Sequence, residues 1–134
     1  MKVIWYNGDE DMGKTGIVNK ILKDFFNVKL ILPKIRKDVC IKFTFNDRIV
    51  GICSSGDDED SVDRLKQLKE CDIIICAVRG SNMVLDYLKE NFRDALEPPI
   101  NCIWRYGTTD EGKDKENNQR LEEFKEKYGY LFSV

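Results

Sequence analysis

The sequence predicts an α/β domain: a mostly parallel sheet of about five strands, helices on both faces, and one antiparallel hairpin at an edge. Three observations carry that reading. Short apolar runs alternate with stretches whose apolar residues recur at helical spacing, the pattern of strand–helix–strand units. Residues 72–78, DIIICAV, are apolar on both faces, as a central parallel strand is. Asn46 and Asp47 separate two strand-like runs at the spacing of a two-residue hairpin.

Each element has its own reason. Residues 2–6, KVIWY, form a short run of β-branched and aromatic side chains, hence a buried strand. Residues 8–13 make a loop. From Lys14 onward a helix is expected, because Ile17, Val18, Ile21, Leu22 and Phe25 recur on one face. Pro33 stops any continuation, and Lys34, Arg36 and Lys37 read as a basic, solvated stretch. Residues 40–45 and 48–54 are the two arms of the hairpin. A polar loop over 54–60 precedes a short helix marked by Val62, Leu65 and Leu68. After the central strand, Val84, Leu85, Leu88 and Phe92 mark a third helix, and Pro98 and Pro99 end that region. Residues 100–104 give a further strand, residues 106–118 a polar loop, and Leu121, Phe124 and Tyr128 a last helix. Residues 130–134 are expected to close the sheet as an edge strand. Trp5 and Trp104 fall in strands, so both are expected in the core.

Composition narrows the function. The 134 residues suit one domain, 1–134, and 42% hydrophobic with 34% charged residues excludes a disordered or collagen-like chain. A formal net charge of −2 gives no sign of nucleic-acid binding through an overall field. No apolar run reaches the roughly 20 residues that span a bilayer, and the first residues turn polar too soon for a signal peptide. A cytoplasmic, membrane-free protein is expected. Five cysteines without a CxxC pair, and no histidine, argue against a zinc site. Cys53, Cys76 and Cys102 lie in apolar runs and read as small buried hydrophobes. Without histidine, acid–base work falls to Asp, Glu, Lys, Tyr or Cys.

One motif carries chemistry. Gly8, Asp9, Glu10, Asp11, Met12, Gly13, Lys14 and Thr15 match G-x-x-x-x-G-K-[ST], between an expected strand and an expected helix. Glycines let the backbone turn tightly and present a concave row of N–H groups. The helix start adds the positive end of its dipole, which favours phosphate. Lys14 can bridge phosphate oxygens, Thr15 can ligate Mg²⁺, and Gly16 completes the binding stretch. The bland alternative is a glycine turn beside an ordinary lysine. Asp9, Glu10 and Asp11 must point outward if the loop holds a polyphosphate.

These residues resemble the P-loop nucleoside triphosphatase superfamily, and the coarse resemblance covers most of the chain. The chain also looks like small bacterial or phage P-loop proteins, through Ser55-Gly56-Asp57 and the run from Cys71 to Ala77. The resemblance implies a three-layer P-loop fold, nucleotide binding and Mg²⁺ as cofactor. The hairpin is similar to that of small GTPases, whose D-x-x-G tetrad aligns with Cys53-Ser54-Ser55-Gly56. The acid is missing there, and Asp57 is the nearest replacement, as a second Mg²⁺ ligand or a base. The guanine-reading N-K-x-D motif is absent, with Trp104-Arg105-Tyr106-Gly107 in that region, so ATP is expected over GTP.

Arg79 follows the central strand, where α/β sheets place ligand groups, and is a candidate to stabilise phosphate charge. It reads equally as a surface arginine. Asp58, Glu59 and Asp60 read as a solvated turn. The catalytic candidates are therefore Lys14, Asp57 and Arg79, and the metal candidates Thr15 and Asp57. Three functions fit: an Mg²⁺-dependent ATP-binding protein with slow hydrolysis, stimulated by an arginine from a protein partner; a small-molecule or nucleotide kinase, with residues 106–118 as its lid; or a non-catalytic nucleotide-binding regulatory module.

Overall fold

The structure, a computed structural model, describes residues 1–8, 12–28, 39–54, 59–79 and 83–133. Among them five strands form one sheet: β1 (Lys2–Gly8), β2 (Cys40–Phe45), β3 (Arg48–Cys53), β4 (Ile73–Arg79) and the short β5 (Ile100–Asn101). Their order across the sheet is β2-β3-β4-β1-β5. β2 and β3 pair antiparallel, while β3–β4, β4–β1 and β1–β5 are parallel. The expected mixed α/β sheet with an edge hairpin is thus present. Between its strands the hairpin turns through Asn46 and Asp47, with φ of 48° and 65°. Two successive positive φ values are what a type I′ turn requires, and Asn and Asp tolerate them better than other side chains.

The described helices that flank the sheet are α1 (Lys14–Lys20), α2 (Glu59–Lys66), α3 (Met83–Asn91) and α4 (Asp110–Tyr128). α1 runs on into a π-helical turn, Ile21–Phe25, and Asn27 at φ 57° ends it. Strand side chains alternate between two cores. Ile4 and Tyr6 of β1 meet Ile17, Val18 and Ile21 from α1 and its π turn, together with Leu121, Phe124 and Tyr128 from α4. Val3 and Trp5 meet Leu65 of α2 and Val84 and Leu88 of α3. Helices therefore cover both faces. Phe25 and Phe26, adjacent at the π turn, both pack edge-on against Phe132 at centroid distances of 5.5 and 5.0 Å.

Five local expectations need correction. Glu59 and Asp60, expected in a polar turn, begin α2. Residues 110–118 are not loop but the first half of α4, so the expected lid is a packed helix. Thr109 caps it, its hydroxyl accepting the Gly112 N–H at 3.1 Å. Gly112 sits under the Tyr106 carbonyl, which a Cβ would overlap, so no larger residue fits there. Within 130–134, no edge strand forms among the described residues; Gly129–Phe132 is a 3-10 turn that folds Phe132 back onto the aromatic cluster. The strand expected over 100–104 has only two paired residues. Trp104 accordingly lies outside the sheet and is half-buried, whereas Trp5 is buried as expected.

Candidate phosphate-binding site

Strand order places the candidate residues. From β1 the chain runs towards the hairpin with α1 on one face, and from β4 it runs to β5 with α3 on the other. Connections that leave two adjacent parallel strands on opposite faces open a crevice at their carboxyl ends, where α/β sheets bind ligands. The two ends here are Gly8 and Arg79, which are direct register partners. The first glycine of the motif and the candidate arginine, distant in sequence, thus share one end of the sheet by backbone placement alone.

Gly13 stands just before α1 with φ 83° and ψ 17°, the left-handed region. A Cβ at this position would overlap the Trp104 ring and lie 2.8 Å from Arg120 Nη1. Conformation and space therefore both demand glycine. Gly13 offers no side chain to cap α1, whose first intrahelical bond runs from the Ile17 N–H to the Gly13 carbonyl at 3.0 Å. The opening N–H groups of any helix lack a carbonyl one turn back and carry its positive end. Lys14 opens the helix and is buried, at 8% exposure. Thr15 is half-buried, and its hydroxyl donates to the Ser54 carbonyl at 3.2 Å, joining the motif to the end of β3. Gly16 is exposed.

The support behind this loop is not foreseen from the sequence. Arg120 of α4, 5% exposed, donates from Nη1 to the Met12 carbonyl at 3.1 Å and from Nη2 to the Ile103 carbonyl at 2.8 Å. Its guanidinium also lies 4.7 Å from the Trp104 ring centre, and Lys113 Nζ lies 5.3 Å from the same ring. Behind Arg120, the carboxylate of Glu116 has no exposed surface. It accepts the Arg105 backbone N–H at 2.7 Å and the Arg105 Nε and Nη2 at 2.9 and 2.6 Å. Burial pushes the Glu116 carboxyl up, but these Arg105 bonds and the nearby Arg120 charge outweigh it and hold it below the usual carboxylate range. Burial raises the Cys102 thiol, with Arg120 and Lys14 opposing that rise. One signal does exist in the sequence: Thr109 followed by Asp110 and Glu111 is a helix-start pattern.

Asp9, Glu10, Asp11 and Asp57 lie outside the described residues, as do Ser55, Gly56, Asp58 and the basic residues Lys34, Arg36 and Lys37. The described residues bring together Gly8, Met12, Gly13, Lys14, Thr15 and the backbone of Arg79. For Mg²⁺, the Thr15 hydroxyl is a hard oxygen donor of the kind the ion accepts, and Mg²⁺ needs few protein ligands beside water and phosphate. No cluster of three acidic or cysteine side chains suited to a self-contained metal site occurs among the described residues. No described helix is long and apolar enough to cross a membrane. The chain matches no protein-family model, and neither the curated proteins nor the solved structures contain a significant match to it.

Proposed function

We propose that this protein binds a nucleoside triphosphate, ATP in preference to GTP, in an Mg²⁺-dependent manner, on a P-loop built from residues 8–16. The observation that carries the reading is the G-x-x-x-x-G-K-T motif lying between the carboxyl end of β1 and the start of α1, with Gly13 left-handed. In this reading the N–H groups of the first α1 turn hold phosphate oxygens and the Lys14 ammonium neutralises them. Thr15 is the protein's hydroxyl ligand for the ion, and Asp57 the candidate carboxylate. Bound Mg²⁺ would draw charge from the phosphate oxygens. Arg79, from the paired strand end, is the candidate for stabilising transferred charge.

Two observations order the alternatives. Residues 110–118 belong to a capped helix, which removes the lid that a kinase would need there. β3 ends at Cys53, with Ser54 next, where an acid would favour turnover, so a non-catalytic nucleotide-binding module is the second reading. Incubation with Mg·ATP followed by product analysis separates them. Slow release of inorganic phosphate, lost in Lys14→Ala, supports hydrolysis; bound but unchanged ATP supports the module. Trp104 gives an optical readout of binding, since it packs over Gly13 while Trp5 is in the core. ATP is expected to change the tryptophan emission in wild type, and Trp104→Phe to abolish that change. An emission that never responds, in a folded sample with millimolar ATP, would contradict occupancy of this loop.

A further inference from the structure

Three cysteines stand side by side across the sheet. Cys40 of β2 is the register partner of Cys53 in β3, and Cys53 that of Cys76 in β4. Directly paired residues share a face, and all three pack in the core beneath α2 and α3. The first pair differs from the second in geometry and access. The Ser54 N–H donates to the Val39 carbonyl at 2.8 Å, which makes Val39–Ser54 a hydrogen-bonded rung and Cys40–Cys53 the non-hydrogen-bonded rung beside it. Such rungs hold Cα atoms about 4.5 Å apart, within the roughly 4.4–6.8 Å that a disulfide spans. Cys40 is half-buried, while Cys53 and Cys76 have no exposed surface.

We propose that Cys40 and Cys53 form a peroxide-responsive thiol pair that closes to an intramolecular disulfide across the open end of the β2–β3 hairpin. The Cys40 thiolate attacks an oxygen of hydrogen peroxide; the O–O bond breaks, Cys40 becomes a sulfenic acid, and the released hydroxide takes a proton to give water. The Cys53 sulfur then attacks the Cys40 sulfur. An S–S bond forms, the S–O bond breaks, and the hydroxyl leaves as a second water with the Cys53 proton. Two thiols are oxidised by two electrons and the peroxide is reduced to two waters. Only Cys40 must meet the oxidant, so the burial of Cys53 is no obstacle to the second, internal step.

The surroundings select Cys40 as the attacking group. Hydrogen bonding from the Cys53 thiol outweighs burial and, with the Arg64 charge nearby, lowers the Cys40 thiol to about 7. The Cys40 thiol donates to the Arg64 carbonyl at 3.4 Å, a bond that ionisation gives up, so the lowering comes from the Cys53 bond and the Arg64 charge against it. Burial instead pushes Cys71 up to about 11 and Cys76 up to about 12. The pair adjoins Ser54, whose carbonyl accepts the Thr15 hydroxyl, so closure would fix the strand end that the phosphate motif contacts. The thiol chemistry itself does not depend on the nucleotide reading.

The test treats the purified full chain with hydrogen peroxide under native conditions, then digests it without reductant for mass spectrometry. The expected result is loss of two of the five thiols, with the Cys40 and Cys53 peptides linked within one chain and released by dithiothreitol. In Cys53→Ser, Cys40 is expected to stop at a sulfenic acid that dimedone traps; Cys76→Ser is expected to leave the linkage intact. Both cysteines remaining thiols, a Cys53–Cys76 link, a link between chains, or direct over-oxidation of Cys40 in the wild type would each overturn the proposal. The wild-type linkage map decides the matter even where a variant fails to fold.

Discussion

Gly13 is the residue on which geometry leaves least freedom. Its φ of 83° and the Trp104 ring standing where a methyl group would go act together. A left-handed alanine alone costs about 1–3 kcal/mol, and the clash adds to it. Gly13→Ala is expected to lower the unfolding free energy read from the urea transition by at least that much. Adding Trp104→Ala should recover only the steric part, leaving the backbone strain; full recovery in the double variant would show that φ at this position is not constrained. Arg120 is the matching long-range residue. It holds the Met12 and Ile103 carbonyls from inside the protein, so Arg120→Ala is expected to destabilise by about 3 kcal/mol, the cost of breaking a buried charged contact. A change within about 0.5 kcal/mol, the range of ordinary surface substitutions, would mean the loop is held by other contacts.

At the scale of elements, α4 shows where the sequence is readable and where it is not. Its buried stripe runs Gly112, Glu116, Arg120, Phe124 and Tyr128, at a constant spacing of one helical turn. Only the last two are large and apolar, so hydrophobic periodicity finds the second half of the helix and misses the first. A buried ion pair takes the place of apolar packing there, and pair formation leaves no periodic trace in one sequence. The hairpin and β4 are legible for the opposite reason: Asn46-Asp47 and DIIICAV are local signals that tertiary context reinforces. The 3-10 turn at Gly129–Phe132 is hidden because Tyr130, Leu131 and Phe132 have strand-like chemistry, while the burial of Phe132 against the distant Phe25 and Phe26 leaves no local trace. The α4 ion pair also sets a pH dependence. Glu116 titrates in the folded state below its ordinary value of 4.5. Its stabilising contribution is therefore complete above that value and is lost as the pH falls through the lowered one. Glu116→Gln is expected to destabilise near neutral pH and to make the remaining acid dependence shallower. Parallel acid-unfolding curves for wild type and variant would contradict this assignment.

For the whole molecule, the motif and the elements on either side of it can be read directly, while the order β2-β3-β4-β1-β5 cannot. Which strand lies beside β1 depends on crossovers that no local residue encodes. That order makes Gly8 and Arg79 partners and sets Ser54 against Thr15. It thus joins three separate stretches of chain at one end of the sheet, which composition and spacing mark only individually. The most direct measurement of nucleotide binding is calorimetric titration of the purified protein with ATP and GTP, with and without Mg²⁺, beside Lys14→Ala. ATP binding is expected to require Mg²⁺ and to fall at least tenfold, about 1.4 kcal/mol, in the variant, with GTP weaker. No heat of binding for either nucleotide at millimolar concentration, or binding indifferent to Lys14, would contradict a phosphate site on this loop.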